Sequence, residues 1–181
     1  KKPSKIELPR KPYYITIGAN CDFFSLFKKI EKRYKHCFFL ESLGEESHVS
    51  RHSIIGFDPE KILWAQGNTL HIDERDGSSQ SYQSDNPYYL LRDIVPQNIL
   101  SRKYSGGLTG YVGYDAMNYF EPRLDLNVSD MFEAFKFGLY TDGLIFDKMT
   151  GEIFYFYYQD SRMELIESML AEPTPANGPL V

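Results

Sequence analysis

The run FKFGLYTDGLIFDKMTGEIFYFYYQ, residues 135 to 159, constrains the fold more than any other part of the chain. It is dense in aromatic and branched apolar residues, as strands are, and Thr150-Gly151 interrupts it as a turn does. It reads as two strands flanking that turn, from Phe135 to Tyr158. The rest of the chain supports a sheet protein: 14 Tyr and 13 Phe make it 15% aromatic, a load suited to broad, half-buried sheet surfaces.

Further elements follow from spacing. Residues 1 to 12 read as an extended arm, and Tyr13 to Ile17 as a short strand ended by Gly18. Asp22 is a good N-cap for a helix with Phe23, Leu26, Phe27, Ile30 and Tyr34 on one face. Lys28, Lys29, Lys32, Arg33 and Lys35 fall largely on the other face. KILWAQGNTLHID, residues 61 to 73, reads as a hairpin turning at Gly67-Asn68. RDGSSQSYQSDN has no packing pattern and reads as a polar loop. Asn86-Pro87 starts a short helix that Pro96 ends. GGLTGYVGYDAMNYFEP, residues 106 to 122, reads as a strand running into a helix. Its glycines let another backbone approach closely, and Asp115 stands where an N-cap is needed. Ser161-x-x-Glu164 is a capping-box signature for a last helix through Ala171. The expected architecture is α+β: a mainly antiparallel β-sheet with helices packed on one face, over residues 13–171. EPTPANGPLV, residues 172–181, is a Pro/Gly-rich linker.

Net charge of −5 argues against nucleic acid as a main partner. No stretch approaches the roughly 18 apolar residues of a membrane span, and the polar, proline-broken N-terminus has no signal-peptide pattern. Cys21 and Cys37 flank a helix roughly 20 Å long, beyond disulfide reach. Two unpaired cysteines fit a cytoplasmic protein.

No Walker loop, GxGxxG, CxxC or nucleophile elbow is present. Glu45, Glu46, His48 and His52 invite a metal reading, but on a loop rather than a helix the spacing carries little. The glycosylation sequon Asn127-Val128-Ser129 matters only in a secreted chain. What remains is the stretch FFLESLGEESHVSRHSIIGFDP, residues 38 to 59. If 38–42 and 52–57 pair as antiparallel neighbours, Glu41 and Ser42 come close to Arg51 and Ser53. A carboxylate, hydroxyls and a guanidinium together can grip a zwitterion. A Glu41–Arg51 salt bridge that merely closes the loop fits the same spacing.

FFLES, SRHSIIGFDP and GGLTGYVGYDAMNYFEP resemble, in order and spacing, motifs of the N-terminal region of anthranilate synthase component I and of aminodeoxychorismate (para-aminobenzoate) synthase component I. The family forms are LLES, RYSFIG.DP and GG.vGY..YD..r..E. GLYTDGLIFDKMTGEIFYF is similar to the family's strand pair before the linker. The resemblance implies an N-terminal regulatory and structural domain without catalytic residues and without a cofactor of its own. Chorismate and Mg2+ would bind a C-terminal catalytic domain after the linker. The whole protein would convert chorismate to anthranilate and pyruvate for tryptophan biosynthesis, with ammonia from a partner glutamine amidotransferase subunit. The para-aminobenzoate relative, in folate biosynthesis, is the alternative; a free-standing amino-acid-binding or protein-interaction domain is another. The family's LLES segment lines an L-tryptophan feedback site. By position, Glu41 and Ser42 would contact the amino acid's head, with Arg51, Leu40 and Ser53 alongside. His52 stands where the family has Tyr, and Phe38-Phe39 where it has smaller aliphatics.

Overall fold

The computed structural model describes residues 2–18, 22–42, 50–97, 99–101, 103–128 and 131–173. In chain order these form β1 (Tyr13–Ile17), α1 (Phe23–Glu31), β2 (Cys37–Glu41), β3 (His52–Phe57), β4 (Lys61–Gln66), β5 (Thr69–Glu74) and β6 (Ser79–Gln83). Then come α2 (Pro87–Ile94), β7 (Gly107–Val112), a 3₁₀ turn (Tyr114–Tyr119), a second (Pro122–Leu124), β8 (Phe135–Tyr140), β9 (Asp142–Asp147), β10 (Glu152–Tyr157) and α3 (Met163–Ala171). They divide into two compact units, each holding one five-stranded antiparallel sheet. The α+β class, mainly antiparallel with helices laid on a sheet, is what the structure shows.

One unit, drawn from residues 11–58, 101–106 and 141–173, has the strand order β1-β10-β9-β3-β2. Its registers align Phe39, Ile55, Leu144, Tyr155 and Ile15 in a single row across all five strands. Because side chains alternate along a strand, such a row is one stripe of one face. That face packs against Phe23, Leu26 and Ile30 of α1 and Ile166 and Met169 of α3. As expected, Asp22 caps α1: its carboxylate accepts from the Ser25 N–H at 3.1 Å and the Ser25 hydroxyl at 2.6 Å.

Lys29 departs from the expected solvent face and is buried. It lies three residues after Leu26, on the flank of the apolar stripe, where helical neighbours meet. Its ammonium donates to the carbonyls of Met169 at 3.1 Å and Glu172 at 2.5 Å. A cation of α1 thereby satisfies acceptors that the end of α3 leaves without helical partners.

The capping box expected at Ser161 does not form. Arg162 takes the N-cap position without a side-chain cap bond, and the Ser161 hydroxyl accepts only a 3.3 Å bond from the Met163 N–H. Arg162 is drawn elsewhere: its guanidinium donates to Asp142 at 2.8 and 2.6 Å and to Asp58 at 2.7 Å. Tyr155 donates to the same Asp142 carboxylate at 2.9 Å. Burial, and then the Asp142 charge, push the Tyr155 phenol well above its ordinary pKa, which keeps it a donor.

The other unit, from residues 2–10, 59–100 and 107–140, has the order β6-β5-β4-β8-β7. Leu63, Ala65, Leu70, Ile72, Phe135 and Leu139 form its sheet core, covered by Leu91 and Ile94 of α2. The β4–β5 hairpin turns at Gly67, whose φ of 54° suits glycine. Asn86 caps α2, its side-chain carbonyl accepting from the Tyr89 N–H at 3.1 Å.

Three readings need correction here. Residues 135–147 are not one strand: Thr141 separates β8, which pairs with β4 and β7, from β9, which pairs with β3 and β10. A period-2 pattern marks extended chain without naming its partner, and Asp142-Gly143, a turn-type pair beside the break, here opens β9. The polar segment after Asp73 contains β6, an edge strand whose side chains bond across to β5: Ser79 to Asp73 at 2.6 Å, Ser81 to His71 at 2.8 Å and Gln83 to Thr69 at 2.9 Å. An edge strand held this way needs no apolar face. Asp115 is not a cap; Gly113 holds that position and Asp115 lies in the first turn.

Gly110 fulfils the close-approach expectation. A Cβ built on it would fall within 2.8 Å of the Phe137 Cα and closer still to the Lys136 carbonyl oxygen, both backbone atoms of β8. Gly110→Ala should therefore destabilise the protein by about 1–3 kcal/mol. Gly18→Ala, which meets nothing within 4 Å, should change stability by less than about 0.5 kcal/mol. Urea unfolding of the two variants checks the contrast.

Candidate functional site

The end of β2, the start of β3 and the end of β9 lie at the same end of their sheet. The registers fix this: Glu41 stands opposite Ser53, Ser53 opposite Phe146, and His52 opposite Asp147. The expected pairing of 38–42 with 52–57 is thus present, with β9 as a third strand.

At this end the Ser53 hydroxyl, on a fully buried residue, donates to the Glu41 carboxylate at 3.0 Å. The Lys148 ammonium lies 3.3 Å from the same carboxylate oxygen and donates to the Ser42 backbone carbonyl at 2.7 Å. Arg51 grips Asp147, its Nε reaching both carboxylate oxygens at 3.0 and 2.9 Å and its Nη2 reaching one at 2.6 Å. His52 Nε2 is 3.9 Å from the same carboxylate. The loop-closing Glu41–Arg51 salt bridge is therefore not what forms: each residue takes a partner from β9 or the residue after it. Asp147 is buried at a strand end, where a forked guanidinium can satisfy both of its oxygens.

Of the five residues singled out from sequence, Glu41, Ser42 and Ser53 meet with Lys148 at this end, Ser42 through its backbone, while Arg51 meets Asp147, which stands in register with His52 on the other face. Leu40 does not share their surroundings. Next to Glu41 on the strand, it points to the opposite face, pairs in register with Ile54 and is half exposed. Asp147 and Lys148 were not read from the sequence. Their signal is a charged pair closing the apolar run GLIF, which becomes informative only once that run is known to lie beside β3. The metal reading rests on Glu45, Glu46 and His48, which lie outside the described residues. Among the described residues no group of three or more His, Cys, Asp or Glu could hold a metal ion, and no helix is long and apolar enough to cross a membrane.

The arrangement is a charge-compensated polar cluster with one carboxylate, Glu41, partly open to solvent. The Arg51 bonds hold the Asp147 carboxyl below its usual range. A carboxylate whose pKa is lowered in the folded state adds stability above its unfolded value, about 3.9, and loses it as pH falls through the folded value. The urea-midpoint difference between wild type and Arg51→Met should thus be full near about pH 7 and shrink steadily below about pH 4.

The chain is 41% identical over 176 residues to anthranilate synthase component 1 of Leptospira biflexa, a match covering 96% of this chain and 37% of that protein. It is 35% identical over 153 residues to anthranilate synthase component 1 of Methanothermobacter thermautotrophicus, covering 84% of this chain and 32% of that protein. The crystal structure of anthranilate synthase component I from Streptococcus pneumoniae shares the fold, with a TM-score of 0.53 at 20% identity over 89% of this chain and 37% of that one. No protein-family model matches the chain. The chain spans about a third of the length of these curated relatives. It belongs to the anthranilate synthase component I family.

Proposed function

We propose that the chain is the N-terminal, regulatory part of an anthranilate synthase component I and that the cluster around Glu41 takes the head group of L-tryptophan. The whole protein would convert chorismate to anthranilate and pyruvate in the cytoplasm, with ammonia supplied by a glutamine amidotransferase partner. Chorismate and Mg2+ would belong to the rest of the polypeptide, after a linker at residues 172–181.

The observation that carries the reading is the partly exposed Glu41 carboxylate, oriented by Ser53 and Lys148, at the same end of the sheet as Arg51, which Asp147 holds. A carboxylate that accepts from the ligand ammonium and a guanidinium that donates to its carboxylate are the two complementary groups a zwitterion needs. Regulation follows if tryptophan binds one arrangement of the whole protein better than another. It then opposes chorismate, and by reciprocity chorismate weakens tryptophan by the same factor.

Calorimetric titration of the full-length protein with L-tryptophan tests this. Glu41→Gln removes a charge-assisted bond to the ammonium and should weaken binding by about tenfold or more. Arg51→Ala should weaken it as well. Ser42→Ala should have a smaller effect, because the carbonyl that Lys148 holds is backbone. If tryptophan neither binds the full-length protein nor inhibits it, the reading is wrong.

A further inference from the structure

The Lys148 ammonium sits where the ammonium of an amino acid would have to go. It donates to the Ser42 backbone carbonyl at 2.7 Å and lies 3.3 Å from Glu41 Oε1, the oxygen that also accepts from the Ser53 hydroxyl at 3.0 Å. A carboxylate oxygen and a carbonyl oxygen within reach of one nitrogen suit an ammonium group, which has three donors and no acceptor. These groups share one face of the sheet. Glu41 stands opposite Ser53 and Ser53 opposite Phe146, and Lys148 follows Phe146 by two residues, which returns its side chain to that face. Both acceptors belong to the end of β2, whereas Lys148 reaches them from the turn after β9. A flexible side chain makes the contact, and the strand ladder does not depend on it.

We propose that Lys148 is a built-in placeholder for the ligand's ammonium: in the free protein it occupies the acceptors of the site, and an incoming amino acid binds by displacing it. The inference rests on the reading that Glu41 takes the ammonium of tryptophan. Two ammonium groups sharing one carboxylate and its neighbouring carbonyl repel each other at close range, so ligand and Lys148 exclude one another. Displacement is within reach because the pair is only partly shielded. The Glu41 side chain is 38% and the Lys148 side chain 18% exposed, and ion pairs that water reaches contribute little net stability. The four-carbon stem lets the ammonium swing out to water while the backbone stays tied, the Lys148 N–H donating to the Arg51 carbonyl at 2.9 Å. Until a ligand arrives, the placeholder compensates the Glu41 charge, which Ser53 holds in position throughout. The apparent affinity is then the intrinsic one reduced by the fraction of molecules in which Lys148 has left.

Lysine labelling of the full-length protein tests this. An amine-reactive reagent, read by mass spectrometry, should modify Lys148 slowly in the free protein and several-fold faster once L-tryptophan saturates it. Lys61, 20% exposed and 2.6 Å from Glu74, is the internal reference and should not change. Calorimetric titration supplies a second reading. Lys148→Met removes the competitor and should tighten tryptophan about fivefold. Lys148→Arg keeps a cation there and should leave the affinity within about twofold of wild type. Should Lys148→Met not fold, the labelling of wild type decides alone. If bound tryptophan slows the labelling of Lys148 or leaves it unchanged, or if Lys148→Met fails to tighten tryptophan, the proposal fails while the tryptophan site stands. If wild type binds no tryptophan, the site reading fails and this inference falls with it.

Discussion

The pairing of β3 with β9 is the contact on which the arrangement of the first sheet depends. It joins two segments some ninety residues apart in sequence, sets Ile55 against Leu144 in the core, and sets His52 against Asp147 at the strand end. Everything in the polar cluster inherits its position from that register. A slip of β9 by one residue would turn Lys148 away from Glu41 and carry Leu144 out of the core at the same time. Apolar burial on the helix-covered face therefore holds the polar groups in place, and the cluster need not supply its own cohesion.

How much of this was legible follows from which interactions are local. The Asp22 and Asn86 caps, the Gly67-Asn68 hairpin and the β2–β3 pair involve residues close in sequence, and local chemistry specifies them. The division at Thr141 carries one local mark, Asp142-Gly143, which here opens β9; that β8 and β9 take different partners is a long-range fact. β6 was hidden because its stability comes from backbone pairing and polar side-chain bonds, which leave no apolar alternation to read. The capping box at Ser161 was locally sound; the bonds of Arg162 to Asp58 and Asp142, 104 and 20 residues away, prevailed over it. Lys29 shows the same competition: a lysine amid basic neighbours on α1 looks like surface until the end of α3 is brought to it.

The candidate site divides the same way. Glu41, Ser42, Arg51 and Ser53 were found from strand ends and from the family resemblance, and the structure brings all four to one end of the sheet. Leu40 was included by adjacency, and strand alternation sends it to the other face. The partners of Glu41 and Arg51 were missed because they come from β9, whose place beside β3 is a long-range fact. What looked from sequence like one possible ion pair is two, Glu41 with Lys148 and Arg51 with Asp147.

β6 has a consequence for how the chain meets its neighbours. A strand at a sheet border presents unpaired backbone groups to any other chain, and short polar strands are one way proteins blunt that risk. Here Tyr82 is the β6 residue packed on the core, and three side-chain bonds with β5 add to the backbone ladder in holding register. Ser79, Ser81 and Gln83 are all exposed, so a survey of surface positions would pass them as interchangeable. Their hydroxyls and amide instead act as the teeth that help keep this border in step with β5.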